Sequence, residues 1–431
     1  MPDSQAPLRL GIAGLGTVGA GVVDILARQS ELIAARAGRP VTITAVSARD
    51  RTRDRGVDLS GFAWEDDATT LARRDDIDVF VELIGGDAGV AKAATEAAIA
   101  AGKDVVTANK AMLAHHGDAL ARAAEDAACV IRFEAAVAGG IPVVKALTEG
   151  LAGNAITRVM GVMNGTCNYI LTRMEATGQG YDVLFEECGR LGYLEADPQL
   201  DVGGIDAGHK LSLLSAIAFG TKVDFDGVEL EGIAAITLDD IRAAADMSYR
   251  IKLLGVAQMT GRGLEQRMSP CLVPATSPLG QLDGGTNMVV LEGDAVGQIV
   301  LRGAGAGAGP TASAVMADVI DIARGIRVST FGRPVGTLTS ARAARAAISA
   351  PHYLRMQLVD KPGALAKVAH VLGEAGISID QMRQYGHEDT AAPVLIVTHR
   401  TTRSAIDAAL ADLPATGVVT GDPVVIRIES V

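Results

Sequence analysis

The sequence predicts an α/β protein in three parts: an N-terminal doubly wound parallel sheet, a mixed α+β middle, and a small C-terminal βαββαβ domain. Three observations predict it. Apolar strand-like runs alternate with helical patterns over the first third of the chain. A glycine-rich turn joins the first of those strands to the first helix. Residues 353–431 show two strand–helix–strand patterns in the order of a ferredoxin-like domain. The length of 431 residues is too great for one ordinary core and agrees with more than one domain.

The first strand is LRLGIA at 8–13, which meets Gly14-Leu15-Gly16-Thr17-Val18-Gly19 and then a helical pattern through Val22, Val23, Ile25 and Leu26. Strand, GxGxxG turn and helix form the context of a dinucleotide fingerprint. Gly14, Gly16 and Gly19 permit a tight turn and close approach of a pyrophosphate, and the helix N-terminus supplies unpaired N–H groups. The second strand, VTITAVSA at 41–48, ends in Ser47-Ala48-Arg49, with Arg51 and Arg53 close behind. A free ribose 2′-hydroxyl would call for Asp or Glu there. A hydroxyl and clustered guanidiniums suit a 2′-phosphate, so NADP(H) is favoured, and Asp50 leaves NAD(H) open.

Strands follow at 77–85 (IDVFVELIG), 103–110 (KDVVTANK) and 129–135 (CVIRFEA), with an Ala-rich helix over 88–101. Ligands of such sheets sit beyond the carboxyl ends of the strands, where Lys110 stands. From 146 to 303 the pattern is less regular, with strand-like runs AITRVMGVM, NMVVLEGD and AVGQIVLRG. Glycine clusters again at 303–319, where Pro310 and Thr311 open a helix. That second glycine-rich helix start suggests that the chain returns to its first domain.

The expected division is a dinucleotide-binding domain at 1–145, completed by 304–335, and a substrate and oligomerisation domain at 146–303. A linker poor in large apolar residues at 336–352 and a C-terminal domain at 353–431 complete it. In the last part YLRMQLV alternates like a half-buried strand, and Asp360-Lys361-Pro362-Gly363 turns into a helix.

Composition excludes several functions. Lys and Arg number 39 against 51 Asp and Glu, a net charge of −12 without any basic run, which argues against nucleic acid and anionic lipid. Much of the apolar share is alanine, and no stretch approaches the roughly 18–20 uncharged apolar residues of a membrane span. The N-terminus has neither the basic nor the apolar region of a signal peptide, so the chain is expected to stay in the cytoplasm. Cys129, Cys167, Cys188 and Cys271 are scattered, which signals neither zinc nor a disulfide framework. The sequon Asn164-Gly165-Thr166 is then a false positive for glycosylation.

The sharpest local signal is Gly192-Tyr193-Leu194-Glu195-Ala196-Asp197-Pro198, followed by Asp201, Asp206 and Lys210. The run IDAGHKLSLLSAIAF at 205–219 is a helix apolar nearly all round, hence buried, and Asp206 and Lys210 share one of its faces. Buried charges need partners, so the pair either fixes structure or serves a site as proton donor and carboxylate. His209 and His115-His116 lack metal-ligand spacing and read as packing or surface residues.

These motifs resemble homoserine dehydrogenase with a C-terminal ACT regulatory domain. The resemblance rests on GLGTVG at 14–19, VTANK at 106–110, EAAVAGGIP at 134–142 and MNGTCNYIL at 163–171. It rests further on GYLEADPQLDVGGIDAGHKL at 192–211 and GAGAGPTASAV at 305–315. It implies reversible reduction of aspartate 4-semialdehyde to homoserine, with Lys210 as proton donor and Lys110 between cofactor and substrate. Glu195 and Asp206 would hold the substrate ammonium, and Gly192 would let the backbone approach both ligands. It further implies contacts of Thr17, Val18 and Gly19 with the pyrophosphate, Arg49 with the 2′-phosphate and Gly307 with the far side of the cofactor. A sodium ion would be held by Glu134 and by oxygens at Val137, Gly139 and Ile141. The ACT domain implies feedback by threonine and assembly as a homodimer or homotetramer.

Two other readings stay open. One is a different nicotinamide-dependent amino-acid or hydroxy-acid dehydrogenase; the usual His–carboxylate pair of such enzymes is not evident beside a lysine donor. Aspartate semialdehyde dehydrogenase needs a nucleophilic cysteine, and Cys167 has no evident basic partner in sequence. The other is an amino-acid sensor on an inactive scaffold, against which the joint presence of Lys110, Glu195, Asp206 and Lys210 argues.

Overall fold

The computed structural model describes residues 6–194, 197–344, 348–384 and 391–430. The first part contains β1 (Leu8–Ala13), α1 (Thr17–Ala37), β2 (Val41–Ser47), β3 (Ala63–Glu65) and α2 (Ala68–Ala72). It continues with β4 (Val79–Glu82), α3 (Val90–Ala100), β5 (Asp104–Thr107), α4 (Lys110–Asp126) and β6 (Ile131–Arg132). The six strands are parallel in the order β3-β2-β1-β4-β5-β6. Helices cover both faces, which is why β4 is buried at every position and carries no polar alternation. The strand order reverses between β1 and β4, and that switch point opens a crevice at their carboxyl ends.

Local chemistry sets the loops there. At Gly14, with φ +99°, a Cβ would lie 2.3 Å from the Leu83 carbonyl oxygen, so only glycine passes the neighbouring strand end. The sequence pattern extends the fifth strand through Lys110, but the structure ends it at Thr107. The Asn109 side chain accepts from Met112 N at 3.1 Å and caps α4, making Lys110 the first helical residue.

The middle part contains α5 (Val143–Lys145), which runs into one π turn at Ala146–Gly150, then β7 (Ile156–Val162), α6 (Gly165–Thr177) and α7 (Tyr181–Leu191). Next come α8 (Pro198–Val202), α9 (Ile205–Phe219), β8 (Glu229–Leu230), α10 (Leu238–Asp246), β9 (Tyr249–Thr260), β10 (Gly263–Pro274), β11 (Thr286–Gly293) and β12 (Gly297–Ala304). The helix α11 (Ala308–Ala323) follows. It starts two residues before Pro310, because the first-turn N–H groups have no intrahelical partner for a proline to remove. α11 lies against α1: a Cβ on Gly21 would stand 2.8 Å from Ala308 O, and Val315 and Val319 share one core with Leu10, Ile12 and Val22.

The C-terminal part contains β13 (His352–Val359), α12 (Ala364–Glu374), β14 (Ile379–Gln384), β15 (Ala391–Thr398), α13 (Arg403–Asp412) and β16 (Val419–Ile428). Its strands run in the order β16-β13-β15-β14 around a core that includes Leu354, Val368, Leu372, Ile396 and Ile406. This sheet does not stand apart. β16 pairs in parallel with β10, so the C-terminal strands and those of the middle part form one ten-stranded sheet. The segment read as a linker is held as well, by bridges Thr221–Thr339, Leu264–Ala343 and Ala350–Thr401. Among the described residues no helix is long and apolar enough to cross a membrane.

Asp240 ties the two parts. It is fully buried, closes a capping box with Thr237 at the start of α10, and accepts from Arg355 Nε at 2.6 Å and Tyr353 Oη at 3.2 Å. Replacing it by alanine leaves a half-buried guanidinium without its carboxylate, a loss of about 3–5 kcal/mol. Asp240→Ala is expected to lower the unfolding temperature and to speed proteolysis between residues 336 and 352. Unchanged values in both measurements would show that the junction does not depend on this carboxylate.

Candidate functional site

A cavity of about 660 Å³ opens at the switch point, between the first sheet, the α6–α9 region and the start of α11. Helix α9 places two charges at its floor. Every residue from Asp206 to Ile217 is buried, and all but Asp206, His209 and Lys210 are apolar or small, so Asp206 and Lys210, one turn apart, are carried out of water with the helix. Lys210 Nζ donates to Asp206 Oδ2 at 2.6 Å and to the Met163 carbonyl at 2.8 Å. From the start of α4, Lys110 Nζ reaches the other oxygen of Asp206 at 2.9 Å. Burial opposes ionisation of Asp206, yet the charges and hydrogen bonds of Lys210 and Lys110 prevail and hold its carboxyl well below the usual range.

The strand β7 and helix α6 supply the next layer. Asn164 accepts from Cys167 N at 2.8 Å, capping α6, and its amide donates to Asp201 Oδ1 at 2.9 Å. A Cβ on Gly165 would stand 2.6 Å from the Gly285 carbonyl oxygen, so this step requires glycine for the helix to pass under the 284–287 loop. Thr166 Oγ1 donates to Tyr193 O at 3.0 Å. The Asn-Gly-Thr sequon thus lines the wall of the site, with Asn164 only 4% exposed. Gly192 ends α7 with φ +72° and lines the cavity; Glu195 lies outside the described residues. Cys167 is buried against the Asp201 carbonyl, and burial pushes its thiol pKa well up, so no activated nucleophile is present at that position.

Two residues of this region were given no role from the sequence. Asp201, named there only as part of an acidic block, is buried and lines the cavity. Glu82, fully buried at the end of β4, accepts from Thr107 Oγ1 at 2.5 Å and from the N–H of Ile84 and Gly85, bracing the loops after β4 and β5. A carboxylate closing the apolar run VFVE is the signal that could have found it.

The cofactor side fits a dinucleotide. Gly16 begins α1 without a side-chain cap, no acidic residue stands in the first turn, and a Cβ there would meet nothing within 4 Å. Gly307, with φ +118°, likewise begins α11 without a side-chain cap and lines the same cavity as Val18. Two uncapped helix N-termini face the crevice, the arrangement that receives phosphates. Arg49 is exposed just beyond β2. Behind it Arg51 and Arg55 stand over the Trp64 ring at 5.8 and 5.7 Å, and Arg55 Nε donates to Leu15 O at 3.0 Å. The basic loop is therefore pinned beside the glycine turn. Thr17 and Gly19 occupy the first turn of α1, and Gly19 packs on Gly14 O.

A second anionic spot lies behind the cavity. Glu134 is 1% exposed, accepts from the N–H groups of Val144 and Lys145, and is pushed up to about 7 by burial and by Asp318. Ala138 and Gly139 follow with φ +56° and +57°, a sharp turn of the chain after this carboxylate. Ile141 O accepts from Val143 N, whereas Val137 O and Gly139 O accept no backbone hydrogen bond among the described residues. A buried carboxylate whose pKa is raised, with two carbonyl oxygens of the same segment lacking backbone partners among the described residues, is donor chemistry that suits a hard monovalent cation.

His209 packs on Phe225 at 4.2 Å between ring centroids and on His115 at 5.4 Å. Burial, aided by His115, lowers its pKa to about 4, and burial with Arg427 does the same to His352. Both are neutral in the fold, while the unfolded chain takes up protons near 6.5. Stability is therefore full above pH 6.5 and is lost as pH falls toward 4. His209→Asn should flatten that slope in denaturant titrations between these limits; an unchanged slope would exclude the residue as its source.

Comparison with known proteins agrees with the geometry. The family model described as homoserine dehydrogenase matches residues 142–320, the one described as homoserine dehydrogenase, NAD binding domain, matches 14–134, and an ACT domain matches 352–415. Homoserine dehydrogenases of Neisseria gonorrhoeae and Pseudomonas aeruginosa are each 42% identical over 98% of this chain and 99% of theirs. A crystal structure of a homoserine dehydrogenase from Thiobacillus denitrificans superposes with a TM-score of 0.94 at 39% identity, covering 99% of both chains. A hyperthermophilic archaeal homoserine dehydrogenase, solved in complex with NADPH, covers 73% of this chain and 97% of its own at 25% identity and a TM-score of 0.63. The chain belongs to the homoserine dehydrogenase family of oxidoreductases and carries a nicotinamide-dinucleotide-binding domain and a C-terminal ACT domain.

Proposed function

We propose that the chain interconverts L-aspartate 4-semialdehyde and L-homoserine with NADP(H), as a step toward threonine, methionine and isoleucine. The observation that carries this reading is the buried Lys210–Asp206–Lys110 cluster at the carboxyl end of the parallel sheet. A bound nicotinamide would supply the hydride. The chain supplies charge, position and a proton. Lys210 uses two of its three N–H groups on Asp206 and Met163, and the third is the donor to the aldehyde oxygen. Lys110 shares Asp206 and orients that oxygen, so two ammoniums stand where negative charge grows. Asp206 together with Glu195 receives the substrate ammonium, and Gly192 leaves room for substrate and cofactor.

Gly14, Gly16, Thr17, Val18, Gly19 and Gly307 would cradle the pyrophosphate, and Arg49 would take the 2′-phosphate. The exposed, basic end of β2 and the NADPH bound by the archaeal relative support this choice over NADH. Glu134, Val137, Gly139 and Ile141 would hold sodium, in a structural role. The ACT domain would receive threonine as feedback effector in a homodimer or homotetramer, with Asp360-Lys361-Pro362-Gly363 as its loop.

Lys210→Met is expected to lower kcat about 10²–10⁴-fold in an absorbance assay at 340 nm, with the cofactor KM little changed. A variant within about threefold of the wild type would sink the proton-donor assignment. Arg49→Ala should raise KM for NADPH about tenfold or more and leave that for NADH unaltered, the signature of a lost phosphate contact. Equal changes for both cofactors would instead place the 2′-phosphate elsewhere.

A further inference from the structure

From Ile251 to Ala257 the strand β9 is buried, and one of those residues is charged: Lys252, 2% exposed and in no ion pair among the described residues. Burial lowers its pKa to about 8, with Arg250 adding to the effect and Asp283 and Glu175 opposing it. Its ammonium donates instead to two neutral oxygens, Asn168 Oδ1 of α6 at 3.0 Å and the Leu282 carbonyl at 2.5 Å. Asn168 is fully buried and reaches the same loop, donating to Leu282 O at 3.2 Å and to Gly284 O at 2.7 Å. An apolar residue in place of Lys252 would spare the fold the cost of taking a charge out of water. What it could not do is tie a helix to the carbonyls of a loop.

The loop tied in this way runs from Leu282 into β11 and stands between the two walls of the active-site cavity. On one side its Gly285 carbonyl oxygen would lie 2.6 Å from a Cβ on Gly165, at the start of α6. On the other side Asn287, 1% exposed, pairs with Gly303 of β12, and a Cβ on Gly305 would overlap its carboxamide. Gly305 leads into Gly307 and the uncapped start of α11. Gly285 and Asn287 both line the cavity. Backbone and carboxamide are thus in contact on both sides, and neither wall can approach the other without displacing the loop.

We propose that Lys252 and Asn168 are positioning residues for hydride transfer: they pin the 282–287 loop as the spacer that sets the distance between the cofactor wall and the substrate wall. Neither side chain touches the reacting groups. The inference rests on the reading that places the nicotinamide at the glycine turns and the aldehyde at Lys210. Transfer between two bound partners falls steeply when they are misplaced, so slack in the spacer shows in the chemical step before it shows in binding.

Lys252→Met and Asn168→Asp cut the clamp at its two ends. Leu279 and Leu282 stay packed with Leu254, Val256 and Val290, which keeps the loop folded against its sheet. Hydrogen exchange of the amides at 282–287, measured without cofactor, should quicken about tenfold or more in both variants, while exchange in β1 and α11 keeps its wild-type rate. With aspartate 4-semialdehyde and NADPH deuterated at the transferred position, kcat should fall about ten- to hundredfold and the isotope effect should grow. The calorimetric Kd for NADP+ should stay within about threefold of the wild type. Unchanged exchange in both variants would show that the clamp does not hold the loop. Quicker exchange with wild-type kcat and isotope effect would show that the loop is not the spacer. A fall in kcat accompanied by quicker exchange throughout the chain would reduce both residues to a structural role. Each of these results overturns the proposal. A wild type that transfers no hydride to the semialdehyde would remove the dehydrogenase reading itself, and the spacer role with it.

Discussion

The fold depends on keeping one carboxylate, Asp206, charged inside an apolar helix. A lone buried carboxylate would take up a proton or unfold its surroundings. Here two ammoniums, from α9 itself and from the start of α4, meet one oxygen each. The cluster carries a surplus positive charge at the end of a parallel sheet, and that surplus is what a carbonyl oxygen gaining electrons would use. The requirement propagates outward. Lys110 reaches Asp206 only because Asn109 stops β5 and caps α4, and Lys210 is aimed by the Met163 carbonyl at the end of β7. The arrangement of these charges is thus held by a helix cap and a strand end.

The glycines of this site serve different physical ends. Gly14 and Gly19 are filled by backbone around them and could not carry a side chain, whereas Gly16 faces open space at an uncapped helix start. The first pair makes the turn; Gly16 leaves room for a ligand. The same division holds in the middle of the chain, where Gly165 passes under a loop and Gly192 borders the cavity with nothing against it. The return of α11 onto α1 brings a second uncapped helix start, at Gly307, to the same crevice.

Most of what could be read in the sequence was local. The helix at 205–219 is legible because it is apolar nearly all round, and the βα alternation at 8–135 because strands buried on both faces read as unbroken apolar runs. The long β9–β10 hairpin was not legible. Glu265, Gln266 and Arg267 are buried in β10 by partners distant in sequence, so the strand shows no alternation of apolar and polar residues. Asp201 and Asn164 stood in named motifs, but their partnership could not be read: it is a hydrogen bond across 37 residues, which no spacing rule contains. Lys110 could be named early because it follows a strand end, and Asp206 and Lys210 because they share one face of a clear helix, whereas Gly192 was given its role by the motif the chain shares with a known family.

The junction with the C-terminal domain shows what such long-range pairing does. A ferredoxin-like domain could have hung from a linker, but its outer strand joins β10, and Arg158, Arg267 and Arg427 gather around Glu429 across that seam. A buried ion network of this size fixes register more than it adds stability, since removing charges from water offsets much of their attraction. Register is what a signal between domains needs. A seam free to slip would absorb a small displacement, whereas one locked by charged pairs passes it along the strands it joins. β8 shares the edge of β10 with β16, and its Leu230 also stands against Gly208 of α9, so the strand beside the C-terminal seam is the one that backs the helix of Asp206.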